Sequence, residues 1–344
     1  SRKQMTYKNV NSILEKNIVP EGYEEFVDKL KTMSEFATIL RKMKVRRGYL
    51  DFDVDEAKIL VDEACVPYEI TKRERGTGEN LIEDFMIAAN ECVASHIYNM
   101  DLPFIYRIHE SPKEDKLRDF LSFVSNLGYQ VTGDLKGNKS IAVQKLLKFV
   151  HDKKEGPILT SLLLRCMQKA IYSPTNLGHF GLGSSCYTHF TSPIRRYPDT
   201  TVHRLLRTYL FNNDLSSHTI HHYEEKLVFV ADHSSAMERA SVDCEREVED
   251  MKMAEYMESH IGEEFEGMIS SVMSFGMFVE LDNLVEGLVP VRLMDDYFVF
   301  DEERMTLVGE RSHIKYTIGE RVLIKVVAAS KEAKTIDFEI VKKL

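Results

Sequence analysis

The sequence changes grammar once, after Ile261-Gly262, and that change constrains the fold more than any other feature. Upstream of it, apolar residues recur at intervals of three and four, the period of an amphipathic helix. Downstream, short β-rich segments at 263–272, 275–281, 284–290, 305–308, 321–329 and 334–341 are separated by turns such as Asp282-Asn283 and Gly319-Glu320. Five or six short strands in about 83 residues suit a small closed barrel, because closure removes exposed strand edges. The expected fold class is therefore α+β, with a mostly helical domain over 1–260 and a small all-β barrel over 261–344.

Composition excludes several classes of protein. At 344 residues the chain exceeds the usual single-domain size, which agrees with two domains and a sizeable core. Apolar residues at 43% and charged residues at 29% describe an ordinary soluble protein, neither disordered nor fibrous. No run approaches the roughly 18 to 20 apolar residues of a membrane span. The opening Ser-Arg-Lys-Gln does not read as a signal peptide. Five cysteines, at 65, 92, 166, 186 and 244, stand singly, which leaves no disulfide framework and no thiolate zinc site. A cytoplasmic protein with no membrane partner is expected. The chain lacks an initiating methionine and is expected to begin partway through a longer protein.

Net charge is −10, which taken whole argues against a polyanionic partner. Its distribution is uneven, however. Residues 1–50 carry eleven Lys/Arg against six Asp/Glu, residues 179–210 four against one, and residues 243–264 two against nine. Steering depends on the field within about a Debye length, roughly 8 Å at physiological salt, so an acidic protein can still hold a polyanion in a basic channel. A solvated helix face is the plain alternative for each run.

Along the helical part, Tyr23, Phe26, Leu30, Met33, Phe36 and Ile39/Leu40 form an apolar stripe over 21–46. A strand-like stretch, Gly48-Tyr-Leu-Asp-Phe-Asp-Val, follows. Further helices are expected at 80–98, 113–127, 141–151, 158–171, 199–211 and 221–260. His218-x-x-His221-His222 has metal-like spacing without supporting ligands, and solvated histidines near a helix start are the simpler reading. Gly178-x-x-Gly-x-Gly183 lacks the preceding strand of a dinucleotide fold.

Within the barrel, Phe275-Gly-Met-Phe-Val-Glu-Leu places two rings three residues apart. A bend at Gly276 can bring both to one face, where stacked bases contribute about 1–3 kcal/mol each without sequence preference. Burial in the core is the competing role for both rings. Together with Glu286-Gly-Leu-Val and Gly319-Glu-x-Val, this segment resembles the S1 RNA-binding domain, an OB-type barrel, over 262–344. Many such domains place a histidine where Pro290 stands, so no contact is assigned there.

The most informative stretch is His179-Phe-Gly-Leu-Gly-Ser-Ser-Cys-Tyr-Thr-His-Phe-Thr-Ser-Pro-Ile-Arg-Arg-Tyr-Pro-Asp199, followed by His203. Thr191-Ser-Pro reads as a helix-entry turn, with Arg195 and Arg196 in the first turn beyond it. Guanidinium groups there can fork onto phosphate oxygens beside free amide donors. Adjacent helical residues point about 100° apart, so one arginine faces a site while the other pairs or is solvated. Structural ion pairing of both is the alternative.

This stretch closely resembles the signature of the RNase II/RNase R (RNB) family of 3′→5′ exoribonucleases, nearest its bacterial ribonuclease R branch. Met5-Thr-Tyr, Gly48-x-Leu-Asp-Phe, Glu83-Asp-Phe-Met-Ile-Ala-Ala-Asn and Pro103-Phe-Ile-Tyr-Arg-Ile-His-Glu-Ser-Pro occur in the family's order. The resemblance implies processive hydrolysis of single-stranded RNA from its 3′ end to nucleoside 5′-monophosphates, with Mg²⁺ or Mn²⁺ and no small-molecule cofactor. It makes Arg195 the catalytic arginine on the scissile phosphate and Phe52 a clamp on the terminal bases. Glu245, in Cys-Glu-Arg-Glu-Val, falls near the 3′ end or on a solvated face. Phe275 and Phe278 guide the strand, and Tyr187, Arg196 and Arg321 join the RNA-binding set.

Two-metal hydrolysis needs several carboxylates converging on hard cations. The family carries them in an aspartate cluster near the start of its catalytic domain. Here the comparable sequence is Asp51-Phe-Asp-Val-Asp-Glu56, which matches a different family segment and which strand alternation would split between faces. No metal ligand is assigned in this chain. The ligands are expected upstream, and the chain as written is expected not to cleave RNA unaided. The chain is then the C-terminal portion of an RNB exoribonuclease, monomeric with the rest of it. The alternatives are a noncatalytic RNA-binding relative and an unrelated helical scaffold bearing an S1 barrel.

Overall fold

The computed structural model describes residues 1–52, 55–129, 139–153, 155–302 and 304–344. Helix α1 (Tyr7–Lys16) starts where the Thr6 side chain accepts from Asn9 N. It packs through Val10 and Ile13 on Tyr23 and on Leu30 of α2 (Val27–Arg47). The expected stripe on 21–46 holds only in part, since Phe36 and Ile39 are 52% and 54% exposed. The face of α2 turned to α3 (Thr77–Tyr98) buries Ala37 and Lys44 instead. Lys44 tolerates burial because its Nζ lies 2.7 Å from Asp84 and 3.8 Å from the centre of the Tyr49 ring.

The segment expected as a strand from Gly48 is an irregular strap. Leu50 N donates to Gly181 O (2.8 Å), and Gln144 Nε2 of the later helix 139–151 donates to Tyr49 O (2.7 Å), so a loop and a helix side chain take its backbone groups. Its continuation through Asp53 and Val54 lies outside the described residues. Strands come later, as the antiparallel hairpin β1 (Ala57–Val61) and β2 (Pro67–Lys72). The hairpin turn is held by Asp62 Oδ1, which accepts from Ala64 N and Val66 N at 2.9 Å each.

After α3 come β3 (Tyr106–Ile108), α4 (Glu114–Asn126), α5 (Lys139–His151) and α6 (Gly156–Cys166). β4 (Ile171–Ser173) pairs antiparallel with β3, which cuts short the helix expected to reach 171. α7 (Tyr197–Leu206) runs into a π turn at Arg207–Phe211. α8 (Ser217–Glu258) follows, begun by the Ser216 side chain accepting from Thr219 N. Its 42 residues extend about 63 Å at 1.5 Å per residue.

Near its start α8 packs Tyr223, Leu227, Val230 and Ala231 into a core shared with Ala94, Ile97, Phe104, Ile105, Val202 and Leu205. Near its end, Ala254 and Met257 enter the barrel core. Between those anchors residues 239–250 are exposed on every face. A third core joins Phe120, Val124, Val143, Leu146, Leu159 and Leu163 of α4–α6 beneath Leu50 of the strap.

The barrel region holds β5 (Glu264–Met273), β6 (Gly276–Leu281), β7 (Glu286–Pro290), β8 (Phe298–Asp301), β9 (Thr306–Gly309), β10 (Lys315–Thr317), β11 (Arg321–Ser330) and β12 (Thr335–Lys343). Strands β11-β12-β7-β6-β5 close on themselves, and β10-β9-β8 form a separate small sheet. The fold is α+β, as expected: a mostly helical part followed by a small closed barrel. Among the described residues, no helix is long and apolar enough to cross a membrane.

Candidate nucleic-acid interface

The site is built on the short β3–β4 ribbon. Tyr106 and Ile108 point into the core, so alternation turns Arg107 to the opposite face. There its Nη1 meets Glu238 of α8 at 2.5 Å, and its guanidinium lies 4.7 Å from the centre of the Tyr172 ring. The Arg107 amide donates to Tyr187 O (2.9 Å), which docks the glycine-rich loop on β3. Gly183, at φ +58°, lets that loop cross the strap, since a Cβ there would stand 2.8 Å from Arg47 O.

Six rings run in a continuous edge-to-face chain: Phe180, His109, His179, Tyr187, His189 and Tyr172. The Nδ1 atoms of His109 and His179 accept from Gly181 N and Leu182 N. Burial, then the Arg196 and Arg107 charges, pulls His189 down to about 2. Burial, then His109 and Arg107, pulls His179 down to about 3. Both imidazoles are therefore neutral at physiological pH.

Those guanidiniums are not equivalent. Arg107 is spent on Glu238, and Arg196 Nη2 meets the fully buried Asp199 Oδ1 at 2.9 Å. Arg195 is exposed and, among the described residues, makes no side-chain hydrogen bond or ion pair. Its charge nevertheless reaches His189. Both arginines precede α7, whose first residue is Tyr197, and do not lie in its first turn as expected. Pro198 and the Asp199 carboxylate occupy that turn, and Asp199 also accepts from Ser192 N at 2.8 Å. The acidic group answers the helix N-terminus from inside.

The other residues expected at the interface fall into two groups. Tyr187 is 6% exposed, and its hydroxyl accepts from Asn90 Nδ2 at 2.9 Å, so its ring offers no free face for stacking. Its ring lies between His179 and His189, which it meets edge-on. Phe52 is half-buried at the edge of the α4–α6 core. Glu245 is exposed on α8. It lies seven residues past Glu238, hence two turns, and shares that residue's face about 10 Å further along the axis.

On the barrel, Phe275 is 54% exposed and Phe278 half-buried, their rings 6.2 Å apart and nearly perpendicular. Gly276 lets β6 lie close on β7, because a Cβ there would stand 2.4 Å from Val289 O. Arg321 is not beside these rings. It pairs with Glu266 and Asp282 at 3.4 Å each, at the far end of β6, because β11 pairs Arg321 with Met268.

Among the described residues, no three His, Cys, Asp or Glu side chains stand together to hold a metal ion. Asp55 and Glu56 are taken by Lys72 (2.6 Å) and Arg73 (3.0 Å), and Asp53 lies outside the described residues. Asp296 accepts from the amides of Ser312, Tyr297 and Arg311, which hold it down to about 2. The residues described do not fit the expected Mg²⁺ or Mn²⁺.

Sequence reasoning missed Arg107, Glu238 and Asn90 as parts of this site. Arg107 and Asn90 stand inside family-like segments, but nothing in local spacing says that either meets the loop at 187–190. Glu238 is one acid among many on a charged helix.

Two family models match the chain: the RNB domain over residues 1–212 and the S1 RNA binding domain over residues 258–341. Ribonuclease R 1 of Lactococcus lactis is 47% identical over 338 residues, covering 98% of this chain and 41% of that protein. Ribonuclease R of Thermotoga maritima is 40% identical over 345 residues, covering 99% and 48%. The chain thus spans about half the length of these curated relatives or less. Among solved structures, Mycoplasma genitalium RNase R in complex with ribose methylated single-stranded RNA superposes with a TM-score of 0.91 at 32% identity, covering 97% of this chain and 53% of that one. The same protein in complex with double-stranded RNA gives 0.84. The chain belongs to the RNB family and carries its S1 barrel.

Proposed function

We propose that this chain grips the 3′ end of single-stranded RNA as part of a 3′→5′ exoribonuclease that processively releases nucleoside 5′-monophosphates. The observation that carries this reading is the unpaired guanidinium of Arg195, beside two arginines already neutralised by Glu238 and Asp199. A phosphate arriving there displaces no internal partner, and developing negative charge finds a cation already in position. Phe52 stacks on a terminal base, Glu245 lies near the 3′ end, and the Phe275–Phe278 pair receives the incoming strand. Arg196 and Tyr187 support the turn from below. In this reading the helical domain ends near 260, the S1 unit occupies 261–344, and the whole protein acts in the cytoplasm as a monomer.

Hydrolysis belongs to the whole protein, and a divalent cation supplies activated water and charge neutralisation when bound. The test compares this chain with the full-length protein on a 5′-labelled single-stranded oligonucleotide with a free 3′ end. The chain alone is expected to bind the strand, and the full-length protein with Mg²⁺ is expected to shorten it one nucleotide at a time. A full-length Arg195→Ala protein that turns over at the parental rate would overturn the assignment.

A further inference from the structure

We propose that Asn90 of α3 is a positioning residue for Arg195, acting through the backbone of Phe190. The proposal rests on Arg195 being the phosphate contact. On α3 the buried residues Ile87, Asn90, Ala94 and Ile97 fall at helical spacing on one face. Packing alone would fill that stripe with apolar groups, yet an amide 2% exposed stands in it. A buried amide is costly unless both its ends are satisfied. Both are: Asn90 Nδ2 donates to Tyr187 OH at 2.9 Å, and Oδ1 accepts from Phe190 N at 3.0 Å.

The other hydrogen bonds of the arginine turn described here run to α7, while the Phe190 ring packs on the core that α3 shares through Ala94 and Ile97. Asp199 accepts from Ser192 N, Thr200 Oγ1 donates to Pro193 O, and His203 meets Phe190 O at 2.9 Å while stacking on its ring at 4.4 Å. Within the turn, Arg195 N and Arg196 N both donate to Ser192 O. Pro193 stiffens the path between. The turn is thus one rigid piece from Phe190 to Arg195. Asn90 is the side chain that registers it against α3, and therefore against the strap that carries Phe52, which runs on from α2 where that helix packs on α3.

The test measures binding of a fluorescent oligoadenylate, short enough to occupy one site, by anisotropy at fixed salt. Asn90→Ala is expected to weaken binding about tenfold, the factor that corresponds to 1.4 kcal/mol. In an Arg195→Ala background it is expected to add nothing. Asn90→Asp keeps the acceptor for Phe190 N and is expected to bind within about threefold of the parent. Should Asn90→Ala not fold, Asn90→Ser, which withdraws the acceptor but stays polar, carries the same comparison and is expected to lose about fivefold only where Arg195 is present. Equal losses in both backgrounds, or parental binding by the tested variant, overturn the proposal. An Arg195→Ala chain that binds as tightly as the parent overturns the reading of Arg195 itself, and this proposal with it.

Discussion

Arg196 and Asp199 hold one another at 2.9 Å across the start of α7, while the neighbouring Arg195 is exposed. Asp199 is fully buried, so its charge depends on that guanidinium and on the Ser192 amide. Asp199→Asn strands a half-buried Arg196 without a counter-charge. Breaking such a pair on one side is expected to cost about 3 kcal/mol, seen as a lower urea midpoint with unchanged slope. A midpoint equal to the parent's would mean that the pair does not hold the turn.

Arg195→Ala separates binding from stability. The side chain is exposed and unpaired, so the folding free energy is expected to move by no more than about 0.5 kcal/mol. A charge-assisted bond to phosphate contributes about 1.5–3 kcal/mol, so affinity for single-stranded RNA is expected to fall by about one to two orders of magnitude. The steepness of the salt dependence of binding is expected to drop with it, because one fewer phosphate is neutralised. Unchanged affinity with an unchanged salt slope would remove Arg195 from the interface.

The order of elements was legible in the residues because periodicity reports the face each element buries. The strand segments of the barrel and the helices α3, α5, α7 and α8 all follow that signal. It failed where partners from distant sequence decide the outcome. Lys44 on α2 takes a buried place because Asp84 is 40 positions away in sequence and adjacent in space, while Phe36 of the expected stripe meets Phe85 of α3 only at the edge and stays half-exposed. The strap from Gly48 reads as a strand because its residues alternate, but its hydrogen bonds go to Gly181 and Gln144. At the site, the Arg196–Asp199 pair is three residues apart and therefore local, whereas the partners Glu238 of Arg107 and Asn90 of Phe190 come from other elements and leave no local trace.

The barrel rings carry a second prediction for binding. Phe275 is half-exposed and packs edge-on against Phe278, so Phe275→Ala removes little core. One stacked base is worth about 1–3 kcal/mol, and binding of a long single strand is expected to weaken about tenfold. An oligonucleotide too short to reach from the helical site to the barrel is expected to bind as before. Equal loss for the long and the short strand would show that the barrel acts on folding and not on the strand.

Gly183 is where the glycine-rich loop and the strap cross. Alanine there adds a Cβ 2.8 Å from Arg47 O and must hold φ at +58°. Neither neighbour is a flexible side chain, so Gly183→Ala is expected to cost about 2 kcal/mol. The strap continues to Phe52, so affinity for a 3′ end is expected to fall as well. Parental stability by urea unfolding would show that the crossing has slack.

The neutral histidines predict unusual acid sensitivity. His189 and His179 titrate near 2 and near 3 in the folded chain, against 6.5 as the ordinary value. Below pH 6.5 the unfolded chain therefore binds protons that the folded chain refuses, so stability rises with pH through this range. The contribution is complete above pH 6.5 and declines by about 1.4 kcal/mol per pH unit for each histidine as pH falls. Between pH 6.5 and 5 the two together are expected to remove about 4 kcal/mol, before most carboxylates begin to protonate. His109, also lowered by burial, adds in the same direction. Urea unfolding at closely spaced pH values reads this slope directly. His189→Asn sets an amide near the Tyr172 hydroxyl that Nδ1 meets at 2.8 Å and removes one titration. It is expected to flatten the slope by about 1.4 kcal/mol per pH unit, whatever it does to stability at pH 7. A variant with the parental slope would mean that His189 gains its proton in the folded chain, and that the guanidiniums around it are already screened.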